Sequence, residues 1–384
     1  MRGCVRWVNV ATSLPFDFRF IGPPRQMSST PAYCSANGFT WIEVYPEQSV
    51  TRPDPVCINY PASRMREGVF DSLPAAGVAI LPNARVVGED GWIVGRDHTF
   101  LPDHSWFGAE PAKCPIFRAG CLKPDHFFSG RTATLASDFA VFNYGHTVHD
   151  AIARVHLLEK AGLAWPDIDR VIVPDLRSEG RRRLAAIAGI PFEKIVNAST
   201  LGVAECETLI APTFPGLRRN TPPWVAEFWA GKAKAVPVAK RRLYISRKGE
   251  KRSVSNEDEV VELLGRYGFE VLVPGRNPVF DQFQSAEMVV GTHGAAMADA
   301  VFCPLHSVFI ELTPSKHIYP YDYTIATAAN MRYISVLAES DESCRDPEKA
   351  NIRVPIAYLK QSVELGHALL QEHSTPSAAL GETA

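Results

Sequence analysis

Short apolar runs and helical stripes alternate along this chain, most regularly in its second half. Five runs read as strands bounded by turn residues: Arg242–Ser246, Glu270–Val273, Met288–Gly291, Val308–Glu311 and Tyr333–Val336. Between them, Asn256–Tyr267 gathers Val260, Val261, Leu263 and Leu264 on one side, and Ala295–Phe302 and Tyr323–Asn330 read as further helices. Short apolar strands with crossover helices predict a parallel, doubly wound sheet. A final helix over about Ile356–Gln371 is expected to pack back across an interface, and the small, polar tail after about residue 372 to fray.

The first half is less regular. Residues 1–80 are rich in Pro and aromatics and read as irregular, with short extended stretches such as Phe39–Val44. Ala84–Val87 and Trp92–Val94, joined by Gly88-Glu89-Asp90-Gly91, predict a β-hairpin. Pro102-Asp103-His104 reads as a turn. Val148, Ile152, Val155 and Leu158 predict a helix from His146 to about Ala161. A strand over Arg170–Val173, a helix over Arg181–Ala188 and extended stretches at Lys194–Val196 and Glu207–Ile210 follow, suggesting a first α/β domain. Thr221 to Pro237, with its prolines and one short helix, reads as a linker, giving domains 1–235 and 236–384.

Composition narrows the class. A chain of 384 residues fits two domains at roughly 100–200 residues each. With 46% hydrophobic and 21% charged residues it can build a sizeable core. A formal net charge of −2 argues against a dedicated nucleic-acid binder. No apolar run approaches the roughly 20 residues of a membrane span, and the start reads poorly as a signal peptide. The eight cysteines form no Cys-x-x-Cys pair, so neither a disulfide framework nor a structural zinc is expected, and the cytoplasm is the expected location.

Open parallel sheets bind ligands beyond the carboxyl ends of their strands. There the second half places Ser246 and Arg247, then Thr292-His293-Gly294-Ala295, then Glu311. Arg247 suits a diphosphate, or is a surface charge. Gly294, Ala295 and Ala296 would let phosphate approach a helix N-terminus. His293 is either a structural histidine or a hydrogen-bond donor to phosphate. Glu311 is either a helix cap or an acceptor for ribose hydroxyls. In the first half His146 and Asp150 stand four apart and share a helix face, as a proton-abstracting pair or as a packing cluster. No P-loop or dinucleotide fingerprint is present, and no Asp-x-Asp at a strand end suggests a divalent metal.

Taken in order, Leu243-Tyr244-Ile245-Ser246-Arg247, Arg252, Asn256-Glu257, Val289-Val290-Gly291-Thr292-His293-Gly294-Ala295 and Phe309-Ile310-Glu311-Leu312-Thr313-Pro314 resemble glycosyltransferase family 61. Asn143-Tyr144-Gly145-His146 through Asp150 to Arg154 looks like that family's N-terminal signature. The resemblance runs over about residues 84–340, in a soluble, bacterial-type form. The chain departs from the family after Ala295, with Ala296, Met297 and Asp299 where Gly-Leu and an Asn are usual.

The resemblance implies a GT-B architecture, two Rossmann-like doubly wound domains facing across a cleft. It also implies inverting transfer from a nucleotide sugar, typically UDP-linked, to a glycan or polysaccharide, with no obligatory metal or other cofactor. Ser246, Arg247, Arg252, His293, Gly294, Ala295 and Glu311 would then hold the donor. Asp150, held by His146, would deprotonate the acceptor. The expected partners are nucleotide sugar and glycan, with no nucleic acid and no transmembrane segment; peripheral association with a membrane stays open. The rival readings are a nucleotide-sugar epimerase or hydrolase on the same fold, and a non-catalytic nucleotide- or glycan-binding protein.

Overall fold

The computed structural model describes residues 22–106, 110–216, 220–232, 240–274 and 280–374. The chain is mixed α/β and divides into two compact units. One runs up to Ser49 and from Ser72 to Arg219; the other takes Val50–Asp71 and everything from Asn220 onward.

The first unit is built on a mixed sheet. Its central strands are β1 (Ala76–Val87), β2 (His126–Thr134), β3 (Arg170–Val173), β4 (Ile195–Asn197) and β5 (Val203–Pro212), in the spatial order β1-β5-β2-β3-β4. β5, β2, β3 and β4 run parallel, whereas β1 is antiparallel to β5 and to the short strand Trp92–Val94. Only part of this unit therefore has the doubly wound character expected of it. The reason is local: a four-residue turn between β1 and Trp92 can only join antiparallel neighbours. Gly91 is required in that turn. Its φ is +69°, and a Cβ there would lie 2.4 Å from that of Ala136. Leu81, Val86, Ile93, Ile172, Ala204 and Leu209 pack into one core.

The second unit holds the regular parallel sheet. β6 (Arg241–Ile245), β7 (Glu270–Leu272), β8 (Ala286–Thr292), β9 (Val308–Pro314) and β10 (Arg332–Ser340) lie in the order β7-β6-β8-β9-β10, all parallel. The strand order reverses between β6 and β8, which makes the space past their carboxyl ends a topological switch point. Helix α2 (Glu257–Arg266) crosses from β6 to β7 and buries Val260, Leu263 and Leu264; α3 (Tyr321–Ala328) crosses from β9 to β10. The segment Ala295–Phe302 is helical as expected, but of 3-10 type.

Three differences from the sequence pattern matter. The helix Pro223–Lys232, α1 in chain order, is no linker: Trp224, Val225, Phe228 and Trp229 are buried, and Trp229 packs 5.2 Å from the ring of Phe302. Two buried tryptophans bind a segment to a core rather than free it. The last helix, α4 (Ile356–Ser374), puts Leu359 and Val363 into the core of this unit's own sheet. Residues 50–71, unreadable in the sequence, are wired into this unit. Arg52 donates to Thr221 O (2.7 Å), Thr324 O (3.2 Å) and Thr327 Oγ1 (2.8 Å), and Val56–Cys57 adds a parallel strand to β10. Among the described residues no helix is long and apolar enough to cross a membrane.

Candidate functional site

At the switch point the sequence-predicted residues converge unevenly. Ser246 follows β6, but its hydroxyl donates to Glu257 of α2 (2.7 Å) and accepts from the Lys248 N–H (3.2 Å). It shapes the turn. That turn carries Arg247, whose Nε donates to Lys251 O (2.9 Å). Arg252, at φ +59°, donates from Nε to His293 O (2.9 Å) and from Nη1 to Glu348 O (2.5 Å). Both guanidinium groups arrive at Gly294. A Cβ on that glycine would stand 2.0 Å from Arg247 Nη1 and 3.3 Å from Arg252 Nη2. Its φ of +156° with ψ 174° is a backbone shape that essentially only glycine takes. Ala295 then opens the 3-10 segment, so Arg247, Arg252, His293, Gly294 and Ala295 share one rim.

His293 is held from behind. Its Nδ1 lies 3.2 Å from Glu311 Oε1 and 3.0 Å from Asp322 Oδ2. The other Glu311 oxygen accepts from the Tyr333 hydroxyl. Glu311 does not end its strand as expected. β9 runs three residues further, and the carboxylate is fully buried, so it faces His293 and not a ribose. Asp322, in the first turn of α3, was not singled out from the sequence, where it reads as one more acidic residue at a helix start. The rule that pointed to the other rim residues also covers it, since α3 opens shortly after the carboxyl end of β9. The rings of His317 and Tyr319 stand edge-on to His293 at 5.3 and 6.1 Å.

The electrostatics follow from burial and neighbours. Burial opposes a charge on His293, but Asp322 and Glu311 outweigh it and raise its pKa to about 9. Glu311 is pushed up by burial and by the Asp322 charge. Burial, then the neighbouring Arg252, brings Arg247 down to about 10. At neutral pH the rim carries three cations, two of them arginines crowded together.

The first unit holds the second group. Asn143 caps the turn with its side chain on the Gly145 N–H (2.9 Å). The expected continuous helix is broken into kinds: an α-turn at Tyr144–His146, a π segment at Thr147–Ala151, a 3-10 turn at Ile152–Arg154, and α-helix again at Val155–Lys160. π-bulges concentrate at functional sites. Here the bulge spans the stretch that joins His146 to Asp150, whose Nδ1 and Oδ2 lie 2.5 Å apart in a nearly buried pair. Below them Arg154 is wholly buried and donates to three backbone carbonyls, of His104 (2.7 Å), Ala136 (2.7 Å) and Pro212 (3.2 Å). Burial lowers its pKa to about 9, and Asp150 works against that fall. Burial also brings His104, bonded to Thr30 Oγ1 (2.9 Å) and Pro212 O (3.0 Å), down to about 4.

Most of the residues of both groups fall within one matched span. Residues 144–310 match the family model described as Glycosyltransferase 61, a span that takes in His146, Asp150, Arg154, Arg247, Arg252 and His293, ends one residue short of Glu311 and excludes Asp322. Similar proteins include the alpha-1,3-arabinosyltransferase XAT3 of Oryza sativa subsp. japonica, 31% identical over 84 residues, or 20% of this chain and 15% of that one. The xylan glycosyltransferase MUCI21 of Arabidopsis thaliana is 38% identical over 69 residues, 16% of this chain and 14% of its own. The alpha-1,3-arabinosyltransferase XAT2 of Oryza sativa subsp. japonica is 31% identical over 85 residues, 21% and 15% of the two chains. The chain thus spans at most 15% of the length of these relatives. Over residues 144–310, less than half of its length, the chain is similar to the glycosyltransferase 61 family.

Proposed function

We propose that the protein is an inverting glycosyltransferase that moves a sugar from a nucleotide-sugar donor, UDP-linked, to a hydroxyl of a glycan or polysaccharide. The observation that carries this reading is the meeting of Arg247, Arg252 and His293 around Gly294 at the switch point. Cations gathered side by side repel, and a bound diphosphate relieves that repulsion while filling the arginines' paired donors. A pair of stray surface charges would not be packed against a glycine in a conformation that excludes other residues.

The reading makes the protein a GT-B enzyme, the second unit holding the donor and the first binding the acceptor. The acceptor O–H gives its proton to the His146–Asp150 pair. Its oxygen bonds to the anomeric carbon as the bond from that carbon to the diphosphate breaks on the opposite face. A single displacement inverts the centre, and the departing diphosphate takes up a negative charge that the rim cations stabilise. Within the pair we assign the base to His146 and the orienting role to Asp150, the reverse of the assignment suggested by the resemblance. What supports this is that the Asp150 carboxylate is nearly buried and engaged with Nδ1, so proton pick-up falls to Nε2. The rim already supplies the positive charge that a metal provides in other transferases, and none is required in this scheme. All seven described cysteines are free thiols, which suits a cytoplasmic site of action.

The relatives are named for arabinosyl transfer and for xylan, so pentose-linked donors come first in the test. The protein is screened by thermal shift against nucleotide sugars, since ligands of the folded state raise its apparent stability. Binders are then incubated with a glycan panel. Transfer with inversion is the expected result. His146→Gln and Asp150→Asn should each slow it by about 10²–10⁴-fold while sparing donor affinity. An altered sugar from donor alone would mark an epimerase, and tight binding without turnover a non-catalytic protein. Near-normal turnover in both variants removes the pair from the chemistry.

A further inference from the structure

We propose that Asp322 and Glu311 form a two-carboxylate seat that holds His293 doubly protonated, with its Nε2 edge turned to the donor's diphosphate. This rests on the donor reading of the rim and adds a positioning residue, Asp322, that lies outside the matched family domain.

The geometry dictates the protonation. Carboxylates accept hydrogen bonds and cannot donate them, so Nδ1 facing two of them must carry a proton. One carboxylate needs only that Nδ1–H to fix a neutral tautomer. Two of them, buried and converging on the same nitrogen, repel each other, and a full positive charge on the ring offsets that repulsion. The ring nitrogen and the two carboxylate oxygens lie within 4.8 Å of one another, and the charge that fills the seat is the imidazolium itself. Tyr333 donates to the far oxygen of Glu311 and so keeps that carboxylate an acceptor toward His293.

The imidazole ring then sets the direction. Nε2 lies on the edge opposite the carboxylates. His317 and Tyr319 flank the ring edge-on, and Arg252 holds the His293 carbonyl at 2.9 Å. The groups that decide the charge are therefore Asp322 from α3, Glu311 and Tyr333 from β9 and β10, and Arg247 and Arg252 from the turn after β6. Burial pushes the proton off and the carboxylates keep it on. With a pKa of about 9, the carboxylates win.

The consequence is an alkaline limit on donor binding that Asp322 sets. Binding of UDP-xylose is measured by calorimetry from pH 6 to 10 on the full chain and on Asp322→Asn, with His293→Gln as the baseline for titration of the nucleotide itself. The expected wild-type affinity holds through neutral pH and falls as His293 loses its proton. Asp322→Asn should move that fall toward the ordinary histidine value of about 6.5. At pH 8 it should weaken binding about five- to tenfold, with recovery at pH 6, because a charge-assisted hydrogen bond becomes a neutral one. A residue of merely structural importance would give a loss at every pH alike, and that result overturns the proposal. So does binding that chelator abolishes and a divalent cation restores, because the seat would then hold a metal. A second measurement stands apart from ligand binding and from the variant's folding. In ¹³C-histidine-labelled wild-type protein, the resonance missing from His293→Gln is followed against pH. A midpoint well above 8 is expected, and a midpoint near 6.5 overturns the seat even if Asp322→Asn does not fold. If no nucleotide diphosphate binds while His293 still titrates high, the donor reading fails and the seat survives.

Discussion

Replacing Gly294 by alanine tests the rim at its narrowest point. A Cβ there would lie 2.0 Å from Arg247 Nη1 and 2.8 Å from its Cζ, well inside contact distance. The φ of +156° adds backbone strain that a glycine does not feel, of about 1–3 kcal/mol. The clash is with the far end of a flexible side chain, so the guanidinium swings away and the backbone stays near its place. Donor binding then loses the hydrogen bonds of Arg247 to the diphosphate, worth about 1.5–3 kcal/mol for a charged partner, or roughly ten- to a hundredfold in affinity. Two assays separate the terms: denaturant unfolding reads the strain, and calorimetry with a UDP-sugar reads the lost contacts. The decisive comparison is a double-mutant cycle with Arg247→Ala. In that background there is no guanidinium to displace, so Gly294→Ala should cost stability but little further affinity. Losses of affinity that simply add would refute the argument that the glycine exists to admit Arg247.

Two other predictions concern the scaffold. Arg154→Met leaves the carbonyls of His104 and Ala136 buried without their Arg154 donor, while Pro212 O keeps the His104 ring at 3.0 Å. At about 1–3 kcal/mol for each unsatisfied group, the variant should lose more than about 2 kcal/mol of unfolding free energy, read by denaturant titration; a loss below about 1 kcal/mol would show that water or a neighbour satisfies them. Stability against pH should fall on both sides through two histidines of opposite sign. His293, raised to about 9, binds its proton more tightly when folded, so its contribution is complete below about 6.5 and is lost as pH rises through 9. His104, held down near 4, contributes fully above about 6.5 and loses that contribution as pH falls toward 4. His293→Gln should flatten the alkaline limb alone and His104→Gln the acid limb alone, and either variant changing both limbs would contradict the assignment.

The parallel sheet of the second unit was legible because a strand buried on both faces needs a short apolar run whatever its neighbours are. The runs at Leu243, Val289, Phe309 and Ile334 therefore announce themselves, and the strand-end rule then points to Arg247, His293 and Gly294. The hairpin at Gly88–Gly91 was equally local, since its turn residues carry their own signal. Glu311 was misread because β9 runs on through Leu312, Thr313 and Pro314, none of which looks different in a strand or a loop. The π segment under His146 and Asp150 left no trace in the apolar spacing, because a single wide turn barely shifts a helical stripe.

By itself, then, the sequence determined which stretches could bury both faces, where the strands of the second unit run, and which polar residues stand at their ends. Those are properties of neighbours along the chain. Tertiary structure alone decided that residues 50–71 belong with the second unit, that Pro223–Lys232 is core, and that Asp322 reaches His293 from twenty-nine residues away. Such pairings depend on strand register and on how each crossover helix returns to the sheet, and no local periodicity encodes them. The carboxylate that sets the charge of His293 is for that reason the one the sequence concealed.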